Sequence, residues 1–338
     1  MKVEDPLVSV VMPVFNAEKT VVKAAESILS QSYRNFELLI IDDGSTDQSV
    51  SLVEKIKDKR IRLIKNGVNR GIVSVLNDAL RIASGDLVAR QDADDQSSIE
   101  RLESQVRILI EEPDLVAVGS ALRVIDEYER SVGVWSYPQS SGLSRWQLLF
   151  KTPLAHSAAM YRKSPVCEIG GYSDAYRHAE DYHLWSRLSE IGGLRSVEEP
   201  LLKYSIASSG VSRRNAEAQR EVHCKIAQEN IRKKTGLEFP RYVIKNLCFL
   251  ADDENVSASG AAVRELVDAL SRVFDKFKED VEFDKLKESI ARDCATRITS
   301  CIRRLRFGER LKVLSDVRAG EPEFRLDAMD TIRCLVGK

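Results

Sequence analysis

Four short apolar runs near the start of the chain, at residues 7–13, 36–42, 60–65 and 86–92, are separated by amphipathic segments of roughly helix length. That alternation is the strongest constraint on the fold. An apolar run without regular polar interruptions has to be covered on both faces, and βαβα order supplies the cover by laying helices over a parallel sheet. Periodicity therefore assigns the runs to strands and the intervening segments to helices. Three of these strands end in polar clusters, Pro13-Val14-Phe15-Asn16, Asp42-Asp43-Gly44-Ser45 and Asp92-Ala93-Asp94-Asp95. In a parallel sheet such clusters share the carboxyl edge, where open α/β sheets bind ligands.

Between residues 115 and 204 the pattern is mixed, with short strands expected at 115–125 and 156–161 and a helix beginning near Asp181. From about Asn215 strand signals vanish. Charged helical patterns continue to Lys338, with a stripe of apolar positions at Phe283, Leu286, Ile290, Cys294, Ile298, Ile302 and Leu305. The chain has 338 residues, more than the ~100–200 usual for one domain. The expected organisation is an α/β domain over residues 1–214 and a helical C-terminal region over residues 215–338.

Charge and composition narrow the partners. A formal net charge of -1 offers nucleic acid no bulk attraction. No segment approaches the ~20 consecutive apolar residues of a membrane-spanning helix. The expected location is the cytoplasm, with membrane contact at most peripheral. Within the C-terminal helices, Arg297, Arg303, Arg304, Arg306, Arg310 and Lys312 are placed opposite Ile298, Cys301, Ile302 and Leu305. That face is either an ordinary solvated helix side or a surface for anionic lipid at the inner face of the plasma membrane. The six cysteines, Cys167, Cys224, Cys248, Cys294, Cys301 and Cys334, contain no C-x-x-C pair, so reduced and mostly buried thiols are expected.

Three clusters carry candidate chemistry. Asp92, Asp94 and Asp95 would repel one another at a strand end unless a cation or basic group offsets them. A hard divalent ion, Mg²⁺ or Mn²⁺, would bind those oxygens and bridge them to phosphate; the bland alternative is an acidic turn capping a helix that starts near Ser98. After the second strand, Gly44 permits a turn, Ser45 or Thr46 is placed to cap the next helix, and Asp42 or Asp43 is placed to accept an N–H from a uracil or guanine ring. Glu180 and Asp181 precede Leu184, Trp185 and Leu188, which share a helical face and read as core. Asp181 in a first helical turn is either a carboxylate favoured by the helix dipole or a general base facing a donor site.

Taken in order, these motifs resemble a family 2 glycosyltransferase with the GT-A fold, from about Val8 to Ser212. Residues 8–16 resemble the opening strand and nucleotide-contacting loop, with Pro13, Val14 and Asn16 as donor contacts; residues 36–47 resemble the strand ending in the base-binding aspartates Asp42 and Asp43. Asn69-Arg70-Gly71, Asn77 and residues 83–86 resemble the helix leading to the metal strand, and Asn69 is placed at the donor. The resemblance implies that Asp94 and Asp92 hold the metal, with Asp92 also beside the donor. It further implies that Gly170-Gly171-Tyr172 forms a donor-sugar loop contacting through Gly171, and that Asp181, or Glu180 one residue earlier, is the catalytic base. One departure stands out. Where many relatives carry a metal- or diphosphate-holding His, this chain has Ala207, with Arg213 and Arg214 as alternative sources of positive charge. His156 is either a structural hydrogen-bonding residue or an acceptor contact.

The family implies inverting single displacement from a nucleotide-sugar donor, a UDP-sugar above all, to a hydroxyl of a glycan or lipid-linked acceptor, in bacterial surface polysaccharide synthesis. Two competitors remain. A sugar-phosphate nucleotidylyltransferase calls for a Gly-rich basic loop after the first strand, which Val14-Phe15-Asn16-Ala17-Glu18 is not. A degenerate transferase acting as a nucleotide-sugar or partner-binding module is the other, motivated by Ala207.

Overall fold

The structure is a computed structural model that describes residues 5–206, 216–251, 259–305, 309, 310 and 313. The first half is the expected alternation. β1 (Val8–Val14), α1 (Val21–Leu29), β2 (Phe36–Asp42), α2 (Ser49–Val53), β3 (Ile61–Lys65), α3 (Ile72–Ile82) and β4 (Leu87–Arg90) follow in turn. β1 and β2 are buried along almost their whole length, which is why they read as continuous apolar runs. α1 turns Val21, Ala24, Ala25 and Ile28 inward, one face at helical spacing. Next come β5 (Gln96–Ser97), α4 (Arg101–Glu111), β6 (Leu115–Ile125), β7 (Ser131–Trp135), α5 (Ser141–Gln147), β8 (Met160–Arg162), α6 (Lys163–Glu168), α7 (Glu180–Leu188) and β9 (Gly193–Ser205).

The nine strands form one mixed sheet in the order β3-β2-β1-β4-β8-β6-β9-β5, with β7 paired to β6. β1 runs parallel to β2 on one side and to β4 on the other, pairing Val14 with Asp42 and Val11 with Arg90. All three polar clusters therefore emerge at one carboxyl edge. This is the α/β architecture expected of the GT-A fold, a parallel half joined to a mixed half.

Two local expectations are corrected. Residues 156–161 are not one strand but a 3₁₀ turn, His156–Ala158, leading into β8. The carbonyls of Ala158 and Ala159 accept from the Gln105 amide at 2.7 Å and the Arg90 N–H at 2.8 Å, so their backbone groups are satisfied without a full ladder. Ser98 does not open a helix: its N–H donates to Leu201 O at 2.9 Å, and α4 begins at Arg101.

The chain forms two compact units, Met1–Ser144 with Thr152–Gln219, and Arg145–Lys151 with Arg220–Lys338. The second contains α8 (Ala216–Thr235) from Arg220 on, α9 (Arg241–Phe249), α10 (Gly260–Phe277) and α11 (Phe283–Arg303). Of the expected stripe, Phe283, Ile290, Cys294, Ile298, Ile302 and Leu305 are buried. Segment 145–151 joins this unit through side chains: Arg145 pairs with Asp280 and Glu282, each at 2.8 Å, and the Trp146 indole donates to Asp293 at 2.8 Å. The expected basic face is corrected at Arg297, which is 4% exposed, bonds Asp293 at 2.8 Å and lies over the Phe150 ring. Arg304 and Arg310 donate to the carbonyls of Leu250 and Leu305; Arg306 and Lys312 lie outside the described residues. No disulfide joins the five described cysteines. No helix among the described residues is long and apolar enough to cross a membrane.

Candidate active site

The loops after β1 and β2 are latched together. Asn16, with φ +53°, donates its N–H to Ser45 Oγ at 2.9 Å and accepts from Thr46 N–H at 2.8 Å. Two residues on, the Glu18 N–H donates to Asp47 at 3.0 Å, while the Glu18 carboxylate accepts from Gln48 N–H at 3.0 Å. Ser45 and Thr46 are thereby engaged with Asn16 and do not cap α2, whose N-cap is Gln48. Pro13 is half-buried, and Val14 is buried with its carbonyl accepting the Asp43 N–H at 2.8 Å.

Asp42 folds its carboxylate onto the N–H groups of Gly44 and Ser45, both at 3.2 Å. Asp43 accepts from Asn66 at 3.0 Å, Arg70 N–H at 2.9 Å and Gly71 N–H at 2.8 Å. A carboxylate has about four acceptor positions, so Asp43 has most of them engaged in holding residues 66–71 and leaves little for a ring N–H. Asn69 is exposed at this loop. The contact is close: a Cβ on Gly44, at φ +78°, would stand 2.7 Å from Val68 C and Asn69 N. Gly67, at φ +74°, has nothing within 4 Å of the same position. Gly67→Ala should therefore cost only the left-handed backbone strain of about 1–2 kcal/mol, and Gly44→Ala a further ~1–3 kcal/mol of overpacking. Equal melting temperatures for the two variants would contradict this packing.

β4 delivers the acidic cluster. Asp92, Asp94 and Asp95 each offer one carboxylate oxygen, and these atoms lie within 4.8 Å of one another. Desolvation first, and the neighbouring Asp92 charge second, push the pKa of Asp94 up to about 6 although solvent reaches the residue. Asp95 is buried and raised well above the usual range by desolvation and then by Asp92 and Asp94; one oxygen accepts from Ser205 N–H at 3.1 Å, and the other has no partner among the described residues. Three crowded acids with an orphaned buried oxygen fit a divalent cation, which would relieve their repulsion and complete that oxygen's coordination.

Two buried arginines support the cluster. Arg90, 2% exposed, donates to Asp92 at 2.5 Å and to Val11 O at 3.1 Å. Arg101, fully buried, donates to Gln91 and Ser97 at 2.9 Å and to Arg90 O at 2.6 Å. Its pKa falls to about 9, through desolvation, with the Asp95 charge pulling the other way. Neither was among the expected site residues. A readable signal existed for Arg90, a cation closing an otherwise apolar strand directly before three acids.

α7 brings the remaining pair. Glu180 and Asp181 occupy its first turn, and Leu184, Trp185 and Leu188 are buried as expected. Desolvation and then the Glu180 charge push the Asp181 pKa up to about 7, against its own-turn N–H groups and Arg90. Burial also raises Glu180, one of whose oxygens lacks a hydrogen-bond partner among the described residues. The Arg90 charge acts on Asp94, Glu180 and Asp181 alike.

Gly171, at φ +70°, has a backbone reason to be glycine: a Cβ would stand 2.5 Å from Asn77 Oδ1. Asn77 bonds both the N–H and the carbonyl of Tyr172 at 2.9 Å, pinning the loop to α3. His156 Nε2 meets the Tyr172 hydroxyl at 2.9 Å, and desolvation and then Arg90 hold its pKa well below the usual value. Ala207, Arg213 and Arg214 lie outside the described residues.

Comparison with known proteins identifies the family and the fold. The sequence signature of glycosyl transferase family 2 matches residues 9–170. An uncharacterized glycosyltransferase of Haemophilus influenzae is 31% identical over 290 residues, spanning 80% of this chain and 88% of its own. The UDP-Glc:alpha-D-GlcNAc-diphosphoundecaprenol beta-1,3-glucosyltransferase WfaP of Escherichia coli is 30% identical over 240 residues, spanning 70% of this chain and 90% of its own. Among solved structures, S. aureus TarS 1-349 in complex with UDP-GlcNAc superposes with a TM-score of 0.53 at 17% identity, covering 96% of this chain and 89% of that one. The mannosyltransferase PcManGT from Pyrobaculum calidifontis, in complex with GDP-Man and Mn²⁺, gives 0.52 at 19% identity, covering 99% and 87%. The fold is that of the GT-A glycosyltransferases. The chain belongs to glycosyltransferase family 2.

Proposed function

We propose that this chain is an inverting glycosyltransferase that moves a sugar from a nucleoside-diphosphate sugar, a UDP-sugar, to a hydroxyl of a glycan or lipid-linked acceptor in bacterial surface polysaccharide synthesis. The observation that carries the proposal is the cluster of Asp92, Asp94 and Asp95 at the carboxyl edge of the parallel strands, with carboxylate oxygens within 4.8 Å of one another, in a chain of this family. The donor and acceptor printed for the Escherichia coli relative, a UDP-sugar and a diphosphoundecaprenol-linked sugar, favour the same substrate classes here.

In the proposed reaction Asp181 takes the proton of the attacking hydroxyl as the new bond forms at the anomeric carbon and the bond to the diphosphate breaks on the opposite face. Glu180 is the fallback base. Asp94 and Asp92 would hold a divalent cation, Mg²⁺ or Mn²⁺, whose positive charge would offset that of the leaving diphosphate. Pro13, Val14, Asn16, Asp42, Asp43, Asn69, Asp92 and Gly171 frame the donor, the aspartates of β2 chiefly by fixing loops. In this reading residues 1–214 perform the chemistry, and the helices within residues 215–338 make the peripheral membrane contact.

The pH profile tests it. A general base works ionised, so turnover at saturating donor and metal should rise with pH, reach half its plateau near 7 and stay level above. A rate that falls as pH rises through 7 would make Asp181 an acid and overturn the assignment. If the acceptor is lipid-linked, the protein should co-sediment with anionic vesicles and be released by salt; indifference to both removes the membrane contact.

A further inference from the structure

Beyond β6 the sheet ends in a surface that the chemistry above does not use. β7 is exposed along its whole length yet carries Val132, Val134 and Trp135. Strand register sorts these side chains. Trp135 stands opposite Leu122 and Leu122 opposite Leu202, while one step along Gly133, Val124 and Tyr204 form the next row on the same face. Gly133 adds no side chain, and a Cβ there would meet nothing within 4 Å. The Trp135 and Tyr204 rings meet diagonally across that space, centroids 5.6 Å apart and tilted 41°. Tyr204 and Tyr137 rest on a buried floor of Leu122, Ala155, Ala158 and Leu202. Trp135 itself is 48% exposed, whereas Trp146 and Trp185 are buried.

This aromatic face is continuous with the active site. Ser205, next to Tyr204, donates its N–H to Asp95 at 3.1 Å. Tyr204 has its hydroxyl pKa raised by burial and then by Asp95, Asp92 and Asp94, and Tyr137 by burial and then by Asp181. His156, between the floor residues Ala155 and Ala158, meets Trp185 of α7 with ring centroids 6.1 Å apart, so the face runs from the acidic cluster to the helix that carries the proposed base. It also lies on the far side of β4 from β1 and β2, the strands whose loops frame the nucleotide in the proposed reading.

The chemistry of the face selects its occupant. An aromatic ring presents a negative π face, and a pyranose presents a face of C–H groups with its hydroxyls around the rim. Stacking the two removes apolar surface from water without burying a hydroxyl.

We propose that Trp135 and Tyr204 form the acceptor subsite, stacking a neutral pyranose ring of the acceptor so that one of its hydroxyls faces Asp181. The proposal rests on the reading of Asp181 as base. Because Trp135 is the exposed member of the chain's three tryptophans, iodide quenching of intrinsic fluorescence reports on it directly. The native protein, with UDP and Mn²⁺ present, is titrated with the methyl pyranosides of glucose, galactose, mannose, N-acetylglucosamine and N-acetylgalactosamine. At least one should protect Trp135 saturably. Trp135→Ala should weaken that glycoside by about tenfold or more, read by ligand-observed NMR, Trp135→Phe should retain most of the affinity, and both should bind UDP as the native protein does.

No saturable protection by any of the five, or unchanged affinity in Trp135→Ala, overturns the subsite. Masking of Trp135 that follows protein concentration, disappears in Trp135→Ala and ignores every glycoside would assign the face to a second copy of the chain and overturn it equally. Failure of UDP to bind with Mn²⁺ sinks the donor reading instead, and the glycoside titration, repeated without nucleotide, still decides the subsite.

Discussion

Asp181→Asn is expected to lower turnover by about 10²–10⁴-fold, because the amide keeps the shape of the carboxylate but cannot accept the acceptor's proton. Donor affinity should stay near native, since neither the loops after β1 and β2 nor the acidic cluster is altered. Stability gives a second, independent sign. The Asp181 pKa is pushed up from 3.8 to about 7, so the fold prefers the neutral form; the stability this contributes is present below the unfolded value and is lost as pH rises through the folded one. Asn stays neutral throughout, and above neutrality the variant should melt at or above the native temperature. If Asp181 served only the dipole of α7, the same change would cost about 0.3–1 kcal/mol and leave turnover intact. Loss of stability with near-native transfer would therefore defeat the catalytic assignment.

What could be read in advance followed from how local its causes are. β1, β2 and β6 were legible because burial on both faces writes itself as an apolar run, and the start of α7 because Leu184, Trp185 and Leu188 repeat at helical spacing. β5 is two residues long and exists only by pairing with Lys203 and Leu202, partners far off in the chain. β7 is exposed and carries no burial signal. Segment 145–151 belongs with the helical unit because Trp146 and Arg145 find Asp293, Asp280 and Glu282, contacts across more than a hundred residues that no local pattern announces. The site shows the same division. The acids were visible as motifs, and Arg90 could have been read as a cation closing an apolar strand, but Arg101 and the Trp135–Tyr204 face acquire meaning only from tertiary neighbours. Asp43, legible as an acidic strand end, turns out to clamp the loop that opens α3.

Asp94→Ala is the second large effect. Without this carboxylate the donor diphosphate would approach Asp92 and Asp95 with less cation to offset them. Two unit charges 4 Å apart interact by ~4 kcal/mol at an effective dielectric near 20, equivalent to nearly a thousandfold in affinity. UDP affinity, measured by calorimetry with Mn²⁺, should fall by about two to three orders of magnitude and lose its response to a chelator. The melting temperature should hold or rise, because Asp94 is itself raised to about 6, by desolvation and then by Asp92, and removing it relieves repulsion above that pH. Native-like, chelator-sensitive binding by the variant would move the metal elsewhere.

The most direct measurement is release of nucleoside diphosphate by the native protein from a panel of UDP- and GDP-sugars, with Mn²⁺ or Mg²⁺ and again after chelation. The expected result is turnover of at least one donor that stops when the metal is removed and returns on its replacement. Turnover at the same rate with the chelator present would contradict the metal's role, and binding of donors with no release from any of them in the presence of acceptor glycosides would contradict transfer itself and leave a nucleotide-sugar binding module in its place.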